Sequence, residues 1–553
     1  MRGLGLALPG QLDPWVDEAG AGDTYLVAPI AGPDPQPGTP DPAAASGGGR
    51  GGQGDGGALA HASGEILVKF APGVGDAARA EALAIIGGEA VEVVRGDLPG
   101  QDDGYLLRVE LPPGLSEETA IELLSSRPEV EFAEQNWTVS IDAVSNDTSY
   151  TNGSLWGMYG DRTTLKNAFG SQAGEAWATG ATGSTKVVVG VLDTGIAYTH
   201  IDLYLNVWLN QGEIPVAFRS RLVDTNADGL ITFHDLNSTA NASFVTDINR
   251  NGRIDAGDLL NDRRWENGAD EDANGYRDDL IGWDFVNNDN DPWDDNGHGT
   301  HVSGTIGAQG GNGTGVAGVA WNVQIVGLKF LAANGSGAIS NAVKAIDYYT
   351  TASQKAVGQD FVATNNSWGG GGYSSAMQGA IDRAAQEGIL FVAAAGNSAL
   401  NTDTSANFPS NYSTLASAGY EAVVSVAAIT SAGGLASFSN FGARTVDLGA
   451  PGASINSTLA NGGYGTMSGT SMAAPHVTGA IALYAAQNPD ATAGEIREAL
   501  LGSVTATSSL AGRTVTGGRL DAEAMLRFEG TAPPPPPEPP GSFIHGTARS
   551  DRL

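Results

Sequence analysis

The chain has 553 residues, enough for more than one domain and a large buried core, and 28 basic against 62 acidic residues leave a formal charge of −34. Such a field repels phosphates, which excludes nucleic acid and anionic membranes as partners and favours divalent cations. Cysteine is absent, ruling out disulfides and thiolate metal sites, and no apolar run reaches the roughly 18 residues of a membrane span.

The opening "MRGLGLALPGQLDPWVDE" has one arginine and a short mildly apolar stretch broken by proline and acids, a poor secretory signal. Residues 1–63 read as a disordered leader, because "AGPDPQPGTPDPAAASGGGRGGQGDGGALAH" cannot pack a core. Order is expected from "GEILVKFAPG", where Ile66, Val68 and Phe70 alternate as in a strand. A helix over "DAARAEALAIIGG", the strand "GYLLRVELP", a helix over "SEETAIELLSSRP" and the strand "VEFAEQNWTVS" follow. This β-α-β-α-β string predicts a small α+β unit over 64–141. The main body spans 145–530. Its short apolar runs "KVVVGVLD", "VQIVGLKFL", "GILFVAAAG" and "AVVSVAAI" alternate with helical stretches such as "AISNAVKAIDYYTTAS" and "SAMQGAIDRAAQ". That pattern predicts an α/β fold, with a mostly parallel sheet covered on both faces. Residues 531–553 read as a stiff Pro-rich linker and a tail too short to fold alone.

Four stretches of the body carry reactive chemistry. "VVVGVLDTG" puts Asp193 where a buried strand ends, and "DDNGHGTHVSGTIGA" puts His298 at a helix start. "FVAAAGNSA" puts Asn397 just past another strand, and "GTMSGTSMAAPHV" puts Ser471 at a glycine-flanked turn opening a long helix. A serine hydroxyl is a weak nucleophile until a histidine takes its proton, and the histidine needs a carboxylate to fix its tautomer. A tetrahedral oxyanion needs preorganised donors, which Asn397 and a helix N-terminal N–H at Ser471 can supply.

With "DTG", "HGTHVSG", "AAGN" and "GTSMAAPHV" in that order, the body over 145–530 resembles the subtilases, the subtilisin-like serine proteases. The resemblance implies a subtilisin-like three-layer fold, a triad of Asp193, His298 and Ser471, an oxyanion donor in Asn397 and a structural role for His301. It also implies that substrate lies as an added strand between "NNSWGGGG" and "FLAANGSGAIS". Ser367, Trp368 and Gly369 would flank it on one side, Asn334 and Gly335 on the other. Gly396 would floor the pocket and Pro409, in "NFPSNY", would be cis. The 64–141 unit resembles a subtilase prosegment, a ferredoxin-like α+β domain that assists folding and inhibits its own protease. Self-cleavage is expected between 138 and 150.

Between Asp193 and His298 lies an acidic insertion, 222–282, with two twelve-residue stretches, "DTNADGLITFHD" and "DINRNGRIDAGD". Each has oxygen donors at positions 1, 3 and 5, glycine at 6, a main-chain carbonyl at 7 and a carboxylate at 12, as calcium requires. In the first these are Asp224, Asn226, Asp228, Gly229, Leu230 and Asp235; in the second, Asp247, Asn249, Asn251, Gly252, Arg253 and Asp258. The terminal Asp, in place of Glu, resembles dockerin-type loops more than EF-hands. A third stretch begins the pattern with Asp270, Asp272, Asn274 and Gly275, then departs from it, with Asp278 at 9 and Ile281 at 12. Asp289, Asp291, Asp294 and Asp295 either bind another cation or form a solvated acidic loop. Asp202 and Asn312 match positions that hold calcium in the family.

The expectation is therefore a secreted, monomeric, calcium-stabilised endopeptidase acting on proteins and peptides and inhibited by its own prosegment. The alternative is a calcium-dependent adhesion module on an inactive protease scaffold. The tail "IHGTARSDRL" resembles the start of a calcium-binding nonapeptide array, or does so by chance; a real array would fit export without a signal peptide.

Overall fold

The computed structural model describes residues 61–95, 104–137 and 144–530. The chain divides into two compact units, Met1–Thr138 and Val139–Leu553. The leader up to residue 60, residues 138–143 of the expected cleavage region (138–150) and the 531–553 tail lie outside the described residues.

In the first unit, β1 (His61–Phe70) begins three residues before the expected boundary at 64. Its Ile66, Val68 and Phe70 are all fully buried, as the alternation requires. Helix α1 (Asp76–Ala84) leads to β2 (Glu89–Arg95), a strand the sequence reading missed. β2 lies at the sheet edge with Val93 and Val94 both exposed, so no clean alternation marks it. β3 (Leu106–Glu110), α2 (Glu117–Ser125) and β4 (Val130–Trp137) complete the unit. The Ser116 hydroxyl caps α2 by accepting the Thr119 N–H. The four strands run antiparallel in the order β2-β3-β1-β4, so the expected string becomes β-α-β-β-α-β, the ferredoxin-like topology.

The second unit is built on β5 (Gly183–Asp193), β6 (Gly282–Asp284), β7 (Asn322–Lys329), β8 (Asp360–Asn366), β9 (Leu390–Ala394), β10 (Val423–Ile429) and β11 (Leu448–Pro451). A hairpin of β12 (Ile455–Thr458) and β13 (Tyr464–Met467) precedes two short strands, β14 (Thr505–Ala506) and β15 (Gly518–Arg519). Nine strands form one sheet in the order β14-β15-β11-β10-β9-β8-β5-β7-β6, parallel throughout except at the β14–β15 pair. β8 and β6 escaped the sequence reading. β8 ends in buried Thr364, Asn365 and Asn366, and β6 has only three residues.

Alternate residues of β5 face opposite layers, as a strand's two-residue period requires. Val188 and Leu192 pack in one core with α4 (Ile339–Lys355) and α5 (Ser375–Gln386). Val187, Val189 and Val191 pack in the other, with α3 (His298–Gly307) and α6 (Thr470–Gln487). This is the expected three-layer α/β arrangement. Asp193 closes β5, Asn366 closes β8 and Ala394 closes β9, so the segments that follow all emerge at the carboxyl edge of the sheet, where parallel sheets carry their sites.

The insertion forms no strand before β6. Its regular pieces are the four-residue helices Phe233–Leu236 and Ala256–Leu259, each with a reciprocal capping box, and the short 3-10 helix Thr239–Asn241 between them. Buried Phe233, Leu236, Leu259 and Trp265 join the larger core, which anchors the insertion.

Candidate active site and its surrounding loops

His298 is the first residue of α3. A Cβ at Gly299 would sit 2.2 Å from the Gly195 carbonyl oxygen, so glycine there lets the helix close on the turn after β5. That approach brings His298 Nδ1 to 2.8 and 3.0 Å from the two oxygens of Asp193. Asp193 is fully buried and also accepts the Thr194 N–H at 2.8 Å. An ionised carboxylate only accepts, so Nδ1 carries the proton and Nε2 is left as a base. Burial pulls the imidazole pKa down, but the Asp193 charge and hydrogen bond, with Asp294 beyond, outweigh it and raise the net value.

Two residues support this turn in roles the sequence reading did not give them. Asp294, 1% exposed, accepts the Thr194 hydroxyl and the Asn296 and Gly297 N–H groups on one oxygen, and the Thr300 N–H and hydroxyl on the other. It is therefore an internal clamp on the His298 turn and not part of a solvated acidic loop. Lys329, also 1% exposed, donates to the Thr194 and Leu331 carbonyls at 2.7 and 3.2 Å and to Asp295 at 2.7 Å. A lone Lys or Asp has no motif; only the fold shows what surrounds it. His301 lies in the core with Nε2 against the Ile455 and Gly465 carbonyls at 2.9 and 3.2 Å. Burial, helped by nearby His298, lowers its pKa to about 4, which keeps it neutral.

Ser471 is the second residue of α6 and 7% exposed. Its hydroxyl donates to the Ser367 carbonyl at 3.0 Å and, among the described residues, is not bonded to His298. A chain of hydrogen bonds holds the two segments together: Thr478 to Asn365 at 2.9 Å, Asn365 to the Ser367 hydroxyl at 2.9 Å, and that hydroxyl to the Ser471 carbonyl at 2.8 Å. Asn397 Oδ1 accepts the Thr470 N–H at 2.8 Å and the Thr470 hydroxyl at 2.9 Å. A backbone N–H can only donate, so the amide orientation is fixed, and Nδ2, which has no acceptor among the described residues, lies beside the Ser471 N–H: a Cβ at Gly469 would be 3.4 and 3.6 Å from the two nitrogens.

The expected substrate-flanking segments lie side by side, with the Trp368 and Phe330 rings 4.8 Å apart. Asn334 accepts the Ser336 N–H at 3.0 Å in a turn that places Gly335 at φ +75°. Gly396 has φ +103°, and the Phe408–Pro409 bond is cis. Cβ atoms built at Gly369 and Gly396 would lie 3.5 and 3.2 Å from Asn407 Nδ2, so the Asn407 amide sits between those two walls. The sequence reading did not assign Asn407.

The three acidic stretches of the insertion share one backbone. Position 4 is left-handed in each, at Ala227, Arg250 and Ala273 (φ 59, 60 and 56°), and so is the glycine at position 6, at Gly229, Gly252 and Gly275 (φ 90, 87 and 96°). That glycine's N–H donates to the first Asp, at 2.8 Å to Asp224, 2.9 Å to Asp247 and 3.0 Å to Asp270. The twelfth carboxylate then clasps its own loop. Asp235 accepts the Thr225 and Thr232 N–H groups at 2.8 and 2.9 Å, and Asp258 accepts those of Ile248 and Asp255 at 2.7 and 3.0 Å. Asn249 and Asn251 turn their amide groups to Asp255. In the first loop Asp224 Oδ1 is buried and without a hydrogen-bond partner, an acceptor that suits a cation. Asp228 is also tied to Thr185 at 2.7 Å. In the third stretch Asp272 and Asn274 bond to each other at 3.1 Å. Elsewhere, Asp202 accepts from Asn312 at 2.9 Å and the Val316 N–H at 3.0 Å, and burial pushes its pKa up to about 6.

Compared with known proteins, residues 184–520 match the model of the subtilase family, and residues 50–136 that of the fervidolysin N-terminal prodomain. The chain is 30% identical over 441 residues to a thermophilic serine proteinase of Bacillus sp. (strain AK1), which covers 80% of this chain and 82% of that protein. It is 38% identical over 273 residues to alkaline serine exoprotease A of Vibrio alginolyticus, covering 48% of this chain and 46% of that protein. It is 40% identical over 227 residues to subtilisin DY of Bacillus licheniformis, covering 41% of this chain and 77% of that protein. The chain belongs to the subtilase family, with a prodomain ahead of its catalytic part. The activity that goes with the family is serine endopeptidase. No helix among the described residues is long and apolar enough to cross a membrane.

Proposed function

We propose that Asp193, His298 and Ser471 hydrolyse peptide bonds through an acyl-enzyme. The observation that carries this is the bidentate approach of His298 Nδ1 to buried Asp193, with Ser471 at the head of α6 on the same sheet edge. The Ser471 hydroxyl leaves the Ser367 carbonyl, gives its proton to His298 Nε2 and attacks the scissile carbonyl. Asn397 Nδ2 and the Ser471 N–H receive the oxyanion. His298 then returns the proton to the departing amine, and a water repeats the sequence to free the acid. The main chain of Ser367–Gly369 and the Asn334–Gly335 turn flank the substrate strand, and Asn407 limits the pocket for its side chain. These residues belong to a catalytic domain over 145–530.

The 64–141 unit acts as an intramolecular inhibitor, and the enzyme matures by cutting itself between 138 and 150, outside the cell and as a monomer. The calcium reading rests on the loop backbone and on the bare Asp224 oxygen. Asp224, Asn226, Asp228, the Leu230 carbonyl and Asp235 would hold one ion, and the corresponding groups from Asp247 to Asp258 a second; Asp202 and Asn312 would hold a further one. Bound calcium supplies fixed positive charge that braces these loops against unfolding.

Mass spectrometry of the purified chain tests the catalytic reading. Wild type should lose its N-terminal unit and react with a fluorophosphonate, while Ser471→Ala should stay full length and unlabelled. Processing of Ser471→Ala purified alone would sink the proposal.

A further inference from the structure

The turn that presents His298 and the segment expected to flank the substrate are joined by one side-chain amide. Asn296 lies two residues before His298, in the bend ahead of α3, and its Oδ1 accepts the His298 N–H at 3.2 Å. That N–H is one of the first-turn donors a helix leaves without an internal partner, so the amide holds the residue that carries the base. On its other side, Nδ2 donates to the Ala333 carbonyl at 2.8 Å. A carbonyl only accepts and an N–H only donates, so the two bonds agree on which way the amide faces. One rigid plane thus spans the gap between the two segments.

Ala333 does not move alone. The Ala332 N–H donates to the Ser336 carbonyl at 2.9 Å, the Gly335 N–H to the Ala332 carbonyl at 2.8 Å and the Ser336 N–H to Asn334 at 3.0 Å. These bonds close residues 332–336 into a braced turn. A Cβ at Gly335 would lie 4.0 Å from Asn296 Nδ2, so the amide rests against the glycine expected to flank the substrate. Further back the segment is already fixed. Buried Lys329, at the end of β7, ties the Thr194 and Leu331 carbonyls to Asp295. The outer turn reaches His298 through Asn296.

Asn296, Ala333 and Gly335 are all exposed. In the free enzyme water competes for the Asn296–Ala333 bond, which then contributes little. A substrate strand laid along the Asn334–Gly335 turn removes that water, and a hydrogen bond out of water is electrostatically stronger. What the tightened link fixes is His298, which is needed for proton transfer and not for holding the peptide, so the gain falls on kcat. We infer that Asn296 is a positioning residue that couples the substrate-flanking turn to His298, so that a long peptide seated on 332–336 aligns the base and a short one does not. This rests on the triad and substrate-strand reading above, and adds to it a route by which remote substrate residues gain rate.

The test compares two chromogenic peptide anilides with the same residue at the scissile bond, one a blocked single residue and the other a blocked tetrapeptide that reaches the turn. Active sites are counted by fluorophosphonate titration, so incomplete maturation lowers the count and not kcat. Wild type should show the higher kcat on the tetrapeptide. Asn296→Asp keeps an acceptor for the His298 N–H and loses the donor to Ala333. At a pH where His298 is fully neutral, its ratio of tetrapeptide to single-residue kcat should fall about fivefold, with KM for the tetrapeptide changed less than about twofold. Asn296→Ser, uncharged and too short to reach Ala333, should lower the ratio by a similar factor. It excludes a new charge beside His298 as the cause, and serves alone if Asn296→Asp does not fold. An unchanged ratio in both variants overturns the proposal, and so does an equal loss on both substrates, which a merely structural turn residue would give. Equal kcat on the two substrates in wild type overturns it as well, while leaving the triad standing. A wild type that cleaves neither and takes no label overturns both this proposal and the triad reading beneath it.

Discussion

Two groups of buried carboxylates in this molecule are used in opposite ways. At the active site Asp193 and Asp294 are sealed from solvent, and every oxygen meets a donor: the His298 ring, the Thr194 and Thr300 side chains, and backbone N–H groups. Glu213, just before the insertion, and Asp279, near its end, are just as buried, but among the described residues one oxygen of each has no hydrogen-bond partner. Burial alone thus does not say what an acid is for; the sign of what surrounds it does. Acids ringed by donors have every oxygen satisfied, and acids that face one another do not.

The comparison breaks most sharply at Asp193. Asp193→Asn keeps the shape and removes the charge, so the imidazole loses its orienting acceptor and the tautomer it enforces. The kcat should fall about 10⁴-fold, the scale of losing the triad carboxylate in other serine proteases. Circular dichroism should stay native. A fall of less than about tenfold in kcat on a small peptide substrate would mean that Asp193 does not set the base.

Asp294 tests the same idea on stability. Its two oxygens accept five hydrogen bonds, so Asp294→Asn turns an NH₂ group toward N–H and O–H donors and leaves at least one buried donor unpaired. Unsatisfied buried groups cost about 1–3 kcal/mol each, more where the lost partner was charged. The variant should therefore lose about 2–4 kcal/mol in urea unfolding of the calcium-loaded Ser471→Ala chain, with no ion lost. A neutral result would reduce Asp294 to a spectator.

These contrasts also show what the sequence could and could not carry. The candidate triad positions and Asn397 could be picked out because each sits in a short motif at a strand end or helix start. The parallel sheet was readable from continuous apolar runs. β2 was not, because an exposed edge strand has no hydrophobic alternation, and β8 was not, because it ends in buried Thr364, Asn365 and Asn366, whose partners, such as the Thr364 hydroxyl for the Asn366 amide, composition cannot show. The shared backbone of the three acidic stretches was half legible. Glycine at position 6 is visible, but the left-handed turn at Ala227, Arg250 and Ala273 is carried by residues with no preference for it. Glu213 had no signal at all. It meets Asp272 and Asp279 only after the whole insertion has folded back on its own root.

The smallest effect concerns the pH at which the base works. His298 must be neutral to accept a proton, so kcat/KM rises with pH through its pKa in the free enzyme. Burial alone would set that half-point below the ordinary 6.5, but the Asp193 charge and hydrogen bond, then Asp294, raise it, so the wild-type half-point should lie above 6.5. Activity is thus lost as pH falls through a value higher than that of a free histidine. Removing the first of those charges in Asp193→Asn leaves burial in command, and the residual activity should titrate with a half-point below 6.5. Asp294→Asn, whose charge is the lesser contributor, should lower the half-point by less. The profile is measured on a small peptide substrate at constant ionic strength and saturating calcium, so that loop unfolding does not imitate a titration. Equal half-points in wild type and Asp193→Asn would show that the buried acid orients the ring without holding its charge. The distinction between acids ringed by donors and acids that face one another would then have to rest on stability alone.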